Sequence, residues 1–310
     1  MSRSILTALV MGVALAASPA TAQDIHFTSN AELVSLLDQY ETRLASLENN
    51  STYGSVPGYG PDCRSTGLSV EVEATLFRYY RADGVRTNST LGSEMTFGLQ
   101  AAPRVTVGYT AANGMGIRAR WWEFSQVETG NAQDPADFID VDTYTVDVEV
   151  FQDMILNDII DMEISGGVRY NDFREALHDV SSGANRLHLN EFDGIGLLGA
   201  LEFRAHLYRH GSVFGRGRIA GVVGDRVAVD DITDLVLQND TIQGMYELAL
   251  GYQYSRTLSS GAVLFAEVAG ELQHWQNFSS GFEDTNSSDD FGGPADVGFA
   301  GIVFAAGWQR

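Results

Sequence analysis

From Gly67 to Leu76 the chain alternates: Leu68, Val70, Val72, Ala74 and Leu76 stand against Ser69, Glu71, Glu73 and Thr75. A strand points successive side chains to opposite faces, so one face here is apolar and the other carries carboxylates. The pattern recurs and predicts ten strands, at 67–81, 94–110, 115–127, 139–153, 160–173, 189–205, 212–223, 242–255, 261–276 and 296–309. The connections alternate in length. Those at 111–114, 154–159, 206–211 and 256–260 are short, and those at 82–93, 128–138, 174–188, 224–241 and 277–295 are long and polar. Bacterial outer-membrane barrels have even strand numbers, short periplasmic turns and longer external loops. The predicted fold is therefore all-β, a transmembrane antiparallel up-and-down β-barrel of ten strands over 67–310. Pro103 lacks a ladder donor, and a turn at Ala101–Arg104 would move the count toward twelve.

A soluble sandwich is the alternative, but sandwich strands run nearer five or six residues. Tyr79, Tyr80, Trp121, Trp122, Tyr170, Tyr252, Tyr254, Trp275 and Trp308 fall near strand ends, where interfacial girdles are expected.

Parity assigns an inward face dense in charge. Glu71, Glu73, Arg104, Arg118 and Arg120 come from the first three strands. Asp147, Glu149, Asp161, Glu163, Arg169, Glu202 and Arg204 follow, then Arg216, Arg218, Glu247, Glu267 and Glu271. An Arg on the lipid face costs about 2–4 kcal/mol near the midplane, so these side chains are expected to line the lumen. In an open barrel they stand apart and sort ions; in a narrow one they pair and plug it. Ten strands lie between about eight, which side chains fill, and about sixteen, which leave an aqueous channel. The expectation is a narrow charge-lined pore for ions or small solutes, with Arg118, Arg120, Arg216 and Arg218 facing the glutamates. The alternative is a plugged structural or adhesive barrel acting through acidic external loops.

The chain ahead of the barrel differs. Residues 1–22 carry Arg3, an apolar Ile5–Ala17 and Ala20-Thr21-Ala22, the pattern of a secretory signal. Over 23–48, Asn30 offers a helix cap, and Leu33, Leu37, Tyr40, Leu44 and Leu47 form an a/d seam. Two readings stand: a helix packed on the barrel rim, or a periplasmic coiled coil making a homo-oligomer through 33–47. Residues 49–66 read as a linker. Cys63, the single cysteine, is either a free thiol or an intermolecular partner.

The formal charge is −22, and all 19 basic residues are Arg. Without a basic patch, nucleic acid is not an expected partner; outer-membrane lipid and the barrel assembly machinery are. Acidic groups recur at Asp134, Asp137, Asp140 and Asp142, at Asp225, Asp230, Asp231 and Asp234, and at Glu283, Asp284, Asp289 and Asp290. Their spacing does not fit a calcium loop, and a solvated rim is the favoured reading. No Gly-x-Ser-x-Gly elbow occurs. His178 beside Asp179 resembles a rim protease element, and His206 and His210 have i, i+4 spacing, but neither supports catalysis or metal ligation. No enzyme, cofactor or metal is expected.

Arg104-Val105-Thr106-Val107-Gly108-Tyr109, the turn after it, and Gly116-Ile117-Arg118-Ala119-Arg120-Trp121-Trp122-Glu123-Phe124 resemble the strand–turn–strand signature of the Legionella-type pore-forming outer-membrane proteins. So does Ile164-Ser165-Gly166-Gly167-Val168-Arg169-Tyr170. The resemblance implies a surface-exposed barrel with pore activity and carries over no catalytic residue. The C-terminus departs from a terminal aromatic, which leaves Trp308 as the candidate assembly signal.

Overall fold

The computed structural model describes residues 66–81, 97–129, 138–179, 186–208, 210–230, 234–281 and 292–310. The predicted signal, the 33–47 seam, most of the linker and Cys63 lie outside the described residues. So do Asp134, Asp137, Asp231 and the 283–290 acidic group.

Ten strands form: β1 (Gly67–Arg81), β2 (Gln100–Thr110), β3 (Met115–Thr129), β4 (Phe138–Ile155), β5 (Ile160–Asp179), β6 (Arg186–Tyr208), β7 (Gly211–Asp230), β8 (Asp234–Thr257), β9 (Val263–Gly281) and β10 (Gly292–Gln309). Each pairs antiparallel with its sequence neighbours, and β1 closes on β10 from Ser69↔Gln309 to Arg81↔Val297. Closure leaves no sheet edge for lipid to face, the condition for strands to span a bilayer.

Two hairpin turns share one construction. Ala111 N–H donates to Met115 O and Gly114 N–H to Ala111 O; Leu258 N–H donates to Ala262 O and Gly261 N–H to Leu258 O. Gly114 (φ 80°) and Gly261 (φ 82°) take the left-handed position that such loops need. In the β4–β5 turn, Asn157 Oδ1 accepts from the backbone N–H groups of Ile159 and Ile160, both at 2.9 Å. These turns share one end of the barrel with Gly67 and Gln309, which makes it the periplasmic end.

At the other end β3 to β10 outrun the predicted strands, β1 stops where expected at Arg81, and β2 starts at Gln100 rather than at 94. The expected 224–241 loop is mostly hairpin, since β7 reaches Asp230 and β8 starts at Asp234, placing Asp225, Asp230 and Asp234 in strands. β5 and β6 likewise run well into 174–188. Above the bilayer both faces of a strand meet water, so polar residues there do not mark its end. Pro103 is accommodated because the β2–β3 register stops at Arg104↔Trp122, one residue short of it.

The outer face is an apolar belt. Leu197, Ile242 and Leu250 are each more than 70% exposed, which suits side chains that meet lipid. Tyr144 and Tyr170 pack at 5.8 Å, and the Tyr208 and Tyr252 hydroxyls meet at 2.6 Å near the periplasmic rim. Three predicted girdle aromatics point inward instead: Tyr79, Trp122 and Trp275 are 1%, 2% and 0% exposed. Each has the parity of its strand's lumen charges, and parity rather than nearness to a strand end decides the face.

Closure tolerates little at the seam. A Cβ on Gly301 of β10 would overlap the carbonyl oxygen of Leu76 in β1. Gly301→Val is expected to destabilise the barrel by about 1–3 kcal/mol. The check is a lower urea midpoint and a smaller heat-modifiable folded fraction on gels.

Candidate functional site

The lumen is layered. In the outer half Trp122, Trp275 and Phe299 form a mutually packed core, with ring centroids 6.0 Å (Trp122–Trp275), 5.3 Å (Trp122–Phe299) and 5.0 Å (Trp275–Phe299) apart. Phe124 and Tyr79 join on Phe299 at 4.9 and 5.5 Å. Phe278 links Trp275 (4.9 Å) to Phe192 (5.1 Å) and Phe173 (5.7 Å). These rings come from β1, β3, β5, β6, β9 and β10 and bridge opposite walls. Edge-on contacts at these distances add to an already large apolar burial.

Beneath them lies an ion-pair lattice. Arg104, fully buried, donates from Nη1 to Glu73 (2.9 Å) and grips Glu271 with two hydrogen bonds (2.7 and 2.9 Å). Its guanidinium also lies 5.8 Å from the Phe77 ring and 5.7 Å from Trp122, joining the two layers. Trp122 Nε1–H donates to Thr75 Oγ1 (3.2 Å), so its indole is not left unsatisfied.

Asp147 accepts a two-pronged bond from Arg169 (2.7 and 2.8 Å) and another from Arg218 (2.6 Å). Glu247 gathers Arg169 (2.6 Å), Arg120 (3.2 Å) and Arg218 (3.3 Å). Glu149 takes Arg218 (2.6 Å), Arg118 (2.9 Å) and the Ser165 hydroxyl (2.7 Å). Forked guanidinium–carboxylate bonds of this kind are the strong, directional ones.

The layer nearest the periplasm is looser. Arg118 also reaches Glu163 (2.6 Å), while Glu202 takes both Arg204 (2.5 Å) and Arg216 (2.6 Å). Glu267 stands 3.9 Å from each of those two arginines. Asp161 meets His206 Nε2 at 2.6 Å, which puts His206 on a strand rather than in the expected turn. Glu71 faces the same space.

The charges that parity assigned inward thus all lie on the inner face. The reading in which they stand apart across an aqueous lumen does not describe their geometry. Arg118, Arg120, Arg216 and Arg218 are bound to carboxylates at 2.6–3.2 Å. The aromatic layer escapes sequence reasoning, although its signal is the shared parity of Phe77 and Tyr79 with Glu73, and of Trp122 with Arg120. His178, whose place beside Asp179 resembles a rim protease element, stacks on Phe138 at 4.1 Å.

A closed ten-stranded barrel with a lipid-facing apolar belt and a charged interior is an outer-membrane β-barrel. No family model matches the chain, and no curated protein matches it. Solved structures to which it is similar include the outer-membrane protease OmpT from Escherichia coli, at 9% identity over 80% of this chain and 97% of that one, TM-score 0.43. Others are the translocator domain of the autotransporter NalP from Neisseria meningitidis (13%, 88% and 98%, TM-score 0.44) and a major outer membrane protein from Thermus thermophilus (12%, 79% and 99%, TM-score 0.35). At these identities the likeness is one of architecture alone.

The lattice generates a sharp expectation. Arg104→Met leaves Glu73 and Glu271 buried without their cation, a loss of about 3–5 kcal/mol. Adding Glu73→Gln and Glu271→Gln should recover most of it, as read from urea midpoints in phospholipid vesicles.

Proposed function

We propose that this protein is a non-conducting outer-membrane barrel, a plugged structural element that works through the acidic surface it shows outside the cell. The observation that carries the reading is the aromatic layer: Trp122, Trp275 and Phe299 are at most 2% exposed and touch across the lumen. An ion crossing there would shed its hydration shell among rings that offer no coordinating oxygen. The lattice below adds a second barrier, because its guanidiniums and carboxylates are occupied by one another.

The outer wall supports the contact role. Asp172, Asp193 and Asp225 are register neighbours across β5, β6 and β7, while Asp142 and Glu191 nearby share Arg174 of β5 as their register neighbour. Like charges in adjacent positions repel, and a cationic envelope component or partner would relieve that repulsion. In this reading the protein is not an enzyme, and lipid and the assembly machinery are its general partners.

A narrow pore is the second reading, favoured by the charge-lined periplasmic half and by the resemblance to Legionella-type pore-forming proteins. It requires the rings to part. Planar-bilayer recording separates the two. The folded wild type is expected to be silent, and Trp122→Ala/Trp275→Ala/Phe299→Ala to show conductance steps. Steps from the wild type whose reversal potential moves toward cations on neutralising Arg118 and Arg120 would establish the pore instead.

A further inference from the structure

The periplasmic third of the lumen is a blind vestibule. A cavity of about 1000 Å³ runs inward from the turns at Asn157 and Gly261 to Glu71, Glu202 and Glu267, where the lattice closes it. The lumen's charges are unequal: of the seventeen that the sequence reading assigns inward, ten are carboxylates and seven are guanidiniums, and the outer half adds the buried Arg81–Glu175 pair and Arg226. The surplus collects here. Arg204 and Arg216 are both committed to Glu202, so Glu267 is left 3.9 Å from each. It makes no hydrogen bond among the described residues, although only 7% of its side chain is exposed. Glu71, two residues from Glu73 on the same face, makes neither hydrogen bond nor ion pair there.

A carboxylate that lines a cavity and is short of protein donors favours any ligand that supplies N–H groups and positive charge. No group of side chains among the described residues has the arrangement to hold a metal ion, so a compact divalent cation is a poor match. The wall also carries apolar side chains, with Phe151, Met154, Ile155 and Phe265 facing the cavity. Its volume is that of a small-molecule pocket, about 300–1,000 Å³.

We propose that this vestibule binds an organic cation, an ammonium or guanidinium group on an apolar body, that enters from the periplasm. Its charged end sits between Glu71 and Glu267 and its body lies on Phe151 and Phe265. The site goes beyond the plugged-barrel reading and does not rest on it, because a periplasmic ligand reaches it whether or not ions cross the aromatic layer.

The test is calorimetric titration of the folded protein in zwitterionic detergent with benzylammonium, its neutral isostere benzyl alcohol, and phenylacetate. Saturable binding of benzylammonium is expected, at least tenfold tighter than benzyl alcohol, with none for phenylacetate. Glu71→Gln/Glu267→Gln should weaken it by tenfold or more, while Glu123→Gln on the outward face of β3 changes nothing. Equal affinities for benzylammonium and benzyl alcohol, or no saturable binding, would overturn the proposal. Should the double variant fail to fold, the isostere comparison on the wild type decides alone.

Discussion

A charge placed inside a narrow barrel has to find its partner inside the same barrel, and the architecture of this protein follows from that demand. Removing a carboxylate or guanidinium from water costs several kcal/mol, which only close, well-directed pairing offsets. Asp147 and Glu247 meet the demand by each serving several arginines, and Arg169 and Arg218 by each bridging both. The lattice therefore couples β3, β4, β5, β7 and β8 across the lumen as well as around the wall. A one-residue slip in any of these strands would turn its charges toward lipid, so the same pairs that fill the barrel also fix its register.

The aromatic layer follows from the same geometry. Inward positions above the lattice are filled by Trp122, Trp275 and Phe299, and an inward ion pair beyond them, Arg81 with Glu175 at 2.8 Å, is wholly buried. Arg104 joins the layers, held by carboxylates on one side and lying against rings on the other. Below the lattice, β10 brings only Ala305 and Gly307 beside Glu73 and Glu71, and the lumen opens into the vestibule. With rings packed in its outer half and a cavity at its periplasmic end, the lumen differs chemically between its two ends.

Much of this is legible in the sequence because a strand has a period of two. The alternation from Gly67 gives β1 at its observed limits, and it places Glu73, Arg104 and Arg120 inward. Several contacts follow from simple hairpin register: Glu73↔Arg104, Arg118↔Glu149, Asp147↔Arg169, Glu202↔Arg216 and Arg218↔Glu247 are direct cross-strand neighbours. Contacts across the lumen are not legible. Arg104 with Glu271, or Arg120 with Glu247, depends on strand tilt and shear, which no local pattern encodes. Tyr79, Trp122 and Trp275 mislead for a different reason: nearness to a strand end suggests a girdle, but parity decides the face. The upper limits of β7 and β8 escape because, above the bilayer, polarity no longer distinguishes strand from loop.

If the outer half of the lumen is dry and filled, its tryptophans are out of reach of any solute. Acrylamide quenching probes this in a variant that keeps only Trp122 and Trp275, with Trp121→Phe and Trp308→Phe, folded and reconstituted in vesicles. A filled lumen gives a quenching constant near zero that rises to the free-indole value only on unfolding. Strong quenching of the folded barrel would show that water and solute reach those rings, and would contradict the plug.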